Sequence, residues 1–143
     1  LAQGEYVAPE KIEGVYLKSS FVAQLYVHGD SLQSYLVAVV VPDREVVAKW
    51  AVEQGLSDDE AADIETLIAT SDALKKAVLG DMEALAVELK LFRFERVQKL
   101  HLHATAFGPE DDLLTPTFKP KRNNLARFFE TEISHMYNGA PAF

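Results

Sequence analysis

Residues 36–42 read Leu-Val-Ala-Val-Val-Val-Pro, and this is the longest uninterrupted apolar run in the chain. Because the run has no polar alternation and is rich in β-branched valine, it predicts a central strand covered on both faces. Crossing a bilayer takes about 20 apolar residues, so the run is too short to predict a membrane span, and we expect no transmembrane segment in this chain.

The sequence on either side of this strand predicts a small sheet with helices around it. Phe21–Val27 and Tyr35–Val41 flank the polar turn Gly29-Asp30-Ser31, a pattern typical of an antiparallel hairpin. A third strand is predicted through Val97, Leu100 and Leu102. Helices are predicted over Pro9–Lys18, from Asp43 to Gly55, from Ser71 to Leu89 and from Asn123 onward, and a short one is predicted at Ser57. The order favours one α+β domain over residues 1–143, with a small antiparallel sheet and its hairpin covered by helices.

Composition excludes several classes of function. The chain has 143 residues, 48% of them hydrophobic, which suffices for one core. Its formal charge of −8 argues against nucleic-acid binding, and the absence of cysteine excludes disulfides and thiolate metal sites. We expect an intracellular location. The first residues, Leu1-Ala2-Gln3, include neither an initiator methionine nor a signal peptide, so we expect a fragment of a longer protein.

Two clusters of titratable residues are better explained by exposure to solvent than by metal binding or catalysis. His101 and His103 alternate on a predicted strand and so share one face, but no third ligand lies nearby in sequence, which favours a solvated strand face over a metal site. The acidic residues Asp58, Asp59, Glu60 and Asp63 are typical of a solvated helix start, rather than a catalytic carboxylate pair.

The composition of residues 111–122 is not that of a segment that packs in the core. Pro116 and Pro120 stiffen the backbone around Lys119, and Lys121, Arg122 and Arg127 complete the densest basic cluster of an acidic chain. A helix starting near residue 123 also turns its positive dipole end toward this cluster. From the residues alone, a site for a phosphate or carboxylate and a rigid surface loop with solvated charges are equally good interpretations.

A resemblance to a known protein family favours the anion site over the rigid surface loop. Leu114-Thr115-Pro116-Thr117-Phe118-Lys119-Pro120-Lys121-Arg122 resembles the C-terminal lysine motif of long-chain fatty acyl-CoA synthetases, ligases of the adenylate-forming (AMP-binding) superfamily. The opening residues 1–13 resemble the segment just after that superfamily's hinge, and residues 27–31 and 36–42 resemble the long-chain branch. Most of the superfamily has Ser-Gly-Lys where this chain has Thr117-Phe118-Lys119, so Phe118 is interpreted as a marker of that branch.

The resemblance implies a mobile C-terminal lid domain of an enzyme of fatty acid and lipid metabolism. Such enzymes convert ATP and a long-chain fatty acid to acyl-AMP and pyrophosphate, and coenzyme A then displaces AMP. The N-terminal domain of the same polypeptide, expected before Leu1 together with the hinge, would bind ATP, Mg²⁺ and the fatty acid. This chain alone is therefore expected to be inactive. Peripheral attachment to the endoplasmic reticulum, peroxisome or another organelle would then depend on the missing part.

The resemblance also implies roles for individual residues. Lys119 would be the catalytic lysine of the adenylation step. Gly4 and Glu5 would help line the passage for coenzyme A in the thioester-forming pose. Lys121 and Arg122 are candidate phosphate contacts, and a helix-start surface charge is an equal interpretation of Arg122.

Other interpretations stay open at this point. The chain would be a stand-alone α+β regulatory module if the patch from Lys119 to Arg127 bound an anionic ligand by itself. A nucleic-acid binder would show steeply salt-dependent affinity, and the net charge of −8 argues against it.

Overall fold

A computed structural model describes residues 1–139. Strands β1 (Val22–His28) and β2 (Leu36–Pro42) form the predicted antiparallel hairpin, and β3 (Val97–Leu102) pairs with the other side of β2. The α+β class is confirmed. One correction concerns β3, which runs parallel to β2 and makes the sheet mixed instead of wholly antiparallel. A long helical crossover separates these two strands in sequence, and such a crossover is the connection that parallel pairing requires.

Apart from the helix at Ile64–Thr70, which the sequence analysis did not predict, the helices in this part of the chain lie close to the predicted positions, and three begin at predicted side-chain caps. Asp43, Ser57 and Ser71 each accept a hydrogen bond from a backbone N–H three residues later. The described helices are α1 (Pro9–Tyr16), α2 (Arg44–Glu53), α3 (Asp58–Ala62), α4 (Ile64–Thr70), α5 (Asp72–Glu88), α6 (Arg122–Phe128) and α7 (Glu130–Tyr137), with a 3₁₀ turn at Arg93–Glu95.

The prediction of one continuous last helix is wrong, because the helix is interrupted at one residue. Phe129 departs from helical geometry, with φ −100° and ψ 21°, and divides the segment into α6 and α7. Its ring is buried and contacts the rings of His103, Phe107 and Phe128. The kink therefore coincides with a packing contact that the helical spacing of the sequence does not show.

Strand β2 is central and covered on both faces, as its apolar run predicts. Leu36, Ala38 and Val40 point into a core built with α1, α2, α4 and α5. Val37, Val39 and Val41 point into a second core, which contains Phe107, Leu113, Leu114, Leu125, Phe129, Ile133 and Met136. The second core holds the segment that carries Lys119 against the sheet.

Candidate functional site

Residues 113–121, called the lysine loop below, form a small hairpin. Leu114 and Pro120 form an isolated antiparallel bridge, and the Lys121 N–H donates to the Leu113 carbonyl at 2.9 Å. Nearer the tip, the Thr115 N–H donates to the Lys119 carbonyl and the Phe118 N–H donates to the Thr115 carbonyl, both at 2.8 Å. This pattern is that of a three-residue hairpin loop, here Pro116–Phe118, with proline at a favoured turn position.

Phe118 occupies a conformation that favours glycine. Its φ is +63°, and in a three-residue hairpin loop the corresponding position is usually glycine. The left-handed conformation costs an ordinary L-residue roughly 1–2 kcal/mol. Phe118 therefore closes this turn with backbone strain.

The base of the lysine loop is anchored and its tip is exposed. Leu113 and Leu114 are buried in the core, and the Asp111 carboxylate accepts hydrogen bonds from the backbone N–H groups of Gly108 and Leu113. Lys119 itself is exposed, and its ammonium makes no hydrogen bond or ion pair within residues 1–139. The fold thus presents this cation to solvent from a fixed base.

Lys121 has a local partner. Its ammonium pairs with the Asp112 carboxylate, which also accepts a hydrogen bond from the Asn124 side chain at 3.2 Å. The hydrogen bond from Lys121 lowers the pKa of Asp112 below its ordinary value. An anionic ligand of Lys121 would have to displace the Asp112 carboxylate. This costs little, because an exposed ion pair contributes little free energy.

Arg122 has a stronger and more buried partner. Its guanidinium donates to both oxygens of Glu13, at 2.7 and 3.0 Å, and this two-point hydrogen bond is the main cause that raises its pKa. Glu13 is 6% exposed and also accepts the Val27 N–H at 2.9 Å. The pair joins the start of α6 to α1 and β1. Sequence reasoning named Glu13 only within the opening motif, because no local signal links residues 109 positions apart.

An apolar groove of about 330 Å³ runs beside the lysine loop. Its lining includes Phe118 and Pro120 of the loop, Gly14 and Leu17 of α1, and Leu25. The Phe118 side chain is 69% exposed. The groove therefore gives the exposed end of the loop an apolar border, with the Glu13–Arg122 pair among its lining groups.

Gly4 and Glu5 lie in a different neighbourhood. The Ala2 N–H donates to the Gln33 carbonyl at 2.8 Å, and the Gln3 amide donates to the Ser34 carbonyl at 3.2 Å, so this segment lies along the β1–β2 turn. Gly4 has φ +83°, and no atom lies within 4 Å of the position where a Cβ would stand. Glu5 is exposed.

His101 on β3 and His103, just beyond its end, share a face, as predicted, and that face is only partly exposed. The rings of His101 and His103 lie 6.2 Å apart, and both pack against Phe129. Burial lowers both pKa values below 6.5, although the nearby Glu132 carboxylate raises them. Within residues 1–139, no group of three His, Cys, Asp or Glu side chains is arranged to hold a metal ion. The acidic residues of α3 are exposed, as expected.

Comparison with known proteins identifies relatives along nearly the whole chain. Human long-chain-fatty-acid–CoA ligase 6 is 48% identical over 138 residues, which are 96% of this chain. This segment is homologous to long-chain fatty acid–CoA ligases. Human long-chain-fatty-acid–CoA ligase 1 is 45% identical over 138 residues and Arabidopsis thaliana long chain acyl-CoA synthetase 4 is 38% identical over 137, each again covering 96% of the chain. This chain spans about a fifth of the length of these relatives. No protein-family model matches it.

Solved structures similar to this chain include adenylation domains of carboxylic acid reductases. The adenylation domain of a carboxylate reductase from Mycobacterium chelonae has a TM-score of 0.80 and 29% identity, covering 97% of this chain and 19% of the other. A didomain of carboxylic acid reductase from Segniliparus rugosus, solved with AMP, has a TM-score of 0.77 and 28% identity, covering 96% and 17%. Over residues 1–139, every helix is too short or too polar to cross a membrane.

Proposed function

We propose that this chain is the mobile C-terminal lid domain of an AMP-forming long-chain fatty acid–CoA ligase. In this proposal the N-terminal domain of the same polypeptide binds ATP, Mg²⁺ and the fatty acid. The observation that carries the proposal is the exposed Lys119 on a hairpin with a buried base, in a chain 48% identical to a long-chain ligase.

Lys119 suits the adenylation step on electrostatic grounds. A fatty acid carboxylate oxygen attacks the α-phosphorus of ATP, and the bond to the departing pyrophosphate breaks, so two anions must approach each other. A lysine ammonium between them offsets their repulsion and follows the charge as it spreads in the transition state. The fixed loop base keeps the entropy cost of placing this compact cation low.

Gly4 and Glu5 suit the second step, in which the coenzyme A sulfur attacks the acyl carbonyl and AMP leaves. The open space beside Gly4 supports a role in lining a narrow passage, because a residue without a Cβ allows close approach of another chain. The neighbours of Gly4 differ from those of Lys119. Separate poses of the domain would therefore bring each segment to the active centre.

Lys121 and Arg122 remain predicted phosphate contacts, and Lys121 is the better candidate of the two. Lys121 would exchange an exposed carboxylate partner for phosphate, which costs little. Arg122 would have to leave the buried Glu13, which would then keep an uncompensated charge. We therefore assign Arg122 to positioning the lysine loop, with Lys121 the better candidate for a phosphate.

Fatty-acid-dependent ATP–pyrophosphate exchange tests the proposal. The N-terminal domain of the longer protein would be compared alone, joined to this chain through its hinge, and joined to the Lys119→Ala form. We expect the fusion to restore exchange and Lys119→Ala to lower it by about 100-fold or more, the scale of an electrostatic catalytic group. Lys76→Ala, an exposed lysine on α5, is the matched control. A folded Lys119→Ala fusion with full exchange would remove the catalytic role and leave the anion-binding module as the hypothesis to test.

A further inference from the structure

An aromatic and basic surface lies where α5 ends. It consists of Leu89, Lys90, Phe92, Arg93 and Phe94, with Lys11 of α1, and is called the aromatic–basic patch below. The Phe92 side chain is 63% exposed and Leu89 is 38% exposed. Large apolar side chains grouped with cations on an exposed surface are typical of an interaction site, whereas single exposed apolar residues are ordinary.

The ring of Phe92 is held in place at the surface. It stacks on Phe94 with 5.7 Å between ring centroids and 10° between planes, and the Lys11 ammonium lies 5.7 Å from its centroid. The same ammonium pairs with Glu95 at 3.0 Å, and Glu95 also accepts the Phe92 N–H at 2.9 Å. This arrangement fixes the ring outside the core with little conformational freedom left to lose on binding.

Lys90 occupies a backbone position that favours glycine. Its φ is +59°, and around it the Leu91 N–H donates to the Ala86 carbonyl and the Lys90 N–H donates to the Val87 carbonyl. These two bonds form the common helix ending in which a left-handed residue, usually glycine, follows the last turn. Here a lysine takes the strained position and is exposed.

The charge of the patch is opposite to that of the chain. Residues 89–94 read Leu-Lys-Leu-Phe-Arg-Phe and contain two cations and no acid, in a chain of net charge −8. The acid that follows, Glu95, is buried and paired with Lys11. When the exposed Glu88 before Leu89 is included, the cations Lys11, Lys90 and Arg93 outnumber the acids Glu88 and Glu95, so this surface is slightly positive on an otherwise acidic molecule and carries the exposed Phe92 ring.

We propose that the aromatic–basic patch docks this chain on the surface of an anionic lipid bilayer. Leu89 and the Phe92 ring enter the headgroup boundary, where aromatic and aliphatic side chains are favoured. Lys90 and Arg93 pair with lipid phosphates, and each cation contributes through the negative surface potential. The patch uses no residue assigned to adenylation, so docking would serve to hold the domain near an apolar substrate without taking part in the reaction.

Sedimentation with phosphatidylcholine vesicles, with and without phosphatidylserine, tests this proposal on the 143-residue chain. We expect binding only when phosphatidylserine is present. Lys90→Gly should weaken binding about fivefold, the effect of removing one cation near an anionic surface, while raising the melting temperature because glycine relieves the strained backbone. The two effects have opposite directions, so lost binding cannot be ascribed to lost folding. Phe92→Ser should also weaken binding. Lys76→Gln and Phe128→Ser, at exposed positions outside the patch, are matched controls that should bind like wild type.

A second measurement places the ring relative to the bilayer. Trp50 is the only tryptophan of the chain, so Phe92→Trp in a Trp50→Phe background reports on position 92 alone. Quenching of this tryptophan by bromine-labelled lipids is expected. The proposal is overturned if the chain ignores phosphatidylserine, if Lys90→Gly and Phe92→Ser bind like wild type, or if the patch variants weaken contact with the N-terminal domain instead. Lys119→Ala should bind vesicles normally, so failure here is distinguishable from failure of the proposed function.

Discussion

Phe118 precedes the proposed catalytic lysine and has a left-handed backbone, with φ +63°. Its ring is largely exposed beside the apolar groove, so the packing it gains within this domain is small. The strain is the local cost of closing the hairpin loop with a bulky residue.

Comparing two truncations isolates the backbone strain at Phe118. Both Phe118→Ala and Phe118→Gly remove the ring, but only glycine removes the left-handed penalty. We expect Phe118→Gly to be the more stable of the two by about 1 kcal/mol in urea unfolding, the left-handed penalty less the entropy of glycine. At Phe128, exposed in α6, the order should reverse because alanine favours a helix. An alanine variant at position 118 as stable as the glycine variant would contradict the assigned strain.

At the scale of elements, the Glu13–Arg122 pair joins α1, β1 and α6 through one buried carboxylate. Arg122→Ala leaves Glu13 charged and unpaired, so we expect a loss of about 3 kcal/mol in the free energy of unfolding. Lys121→Ala, which breaks an exposed pair one residue away, should cost much less. Urea unfolding of the two variants decides the matter, and equal losses would show that Arg122 is only a surface charge.

The contact of β3 with α7 predicts a dependence of stability on pH. Burial lowers the pKa values of His101 and His103 below 6.5, so the folded state binds protons less readily than the unfolded state. Their contribution is fully present above the ordinary histidine pKa and is lost as pH falls through the lowered values.

We therefore expect the free energy of unfolding to fall between about pH 7.5 and about pH 5.5, on either side of the ordinary histidine pKa. In the double variant His101→Gln/His103→Gln the fall should be smaller, because neither residue can then gain a proton. Lys76→Gln, at an exposed position on α5, is the control. Urea titrations at the two pH values measure the effect, and an unchanged pH dependence in the double variant would refute it.

For the whole molecule, the proposed two poses predict that substitutions separate the two half-reactions. Phe118 and Pro120, on either side of Lys119, line the groove along α1, whereas the segment that contains Gly4 lies beside the β1–β2 turn. In the full-length protein, Gly4→Val should slow acyl transfer from acyl-AMP to coenzyme A, because a branched side chain at φ +83° strains the loop and fills the open space beside it. Pyrophosphate exchange should stay near wild type. Lys119→Ala should show the opposite pattern.

Single-turnover kinetics of each half-reaction make this comparison directly. Matched losses in both steps for Gly4→Val would indicate a general folding defect, and a melting curve identifies that case. Loss of pyrophosphate exchange alone would contradict the assignment of Gly4 to the thioester step.

The sequence by itself determined the central strand, the hairpin and most helix starts, because these depend on local signals. The apolar run at residues 36–42, the turn at residues 29–31 and the caps Asp43, Ser57 and Ser71 each act within a few residues. The lysine motif likewise identified relatives, since its residues are contiguous.

Only the tertiary structure decided how distant elements meet. The parallel pairing of β3, the kink at Phe129 and the Glu13–Arg122 pair each depend on segments brought together by the two cores. The left-handed geometry of Phe118 and Lys90 also needed coordinates, because each residue type ordinarily avoids that conformation and is held there by surrounding hydrogen bonds. Such contacts are set by competition among all parts of the chain for burial, and no local window of sequence contains that information.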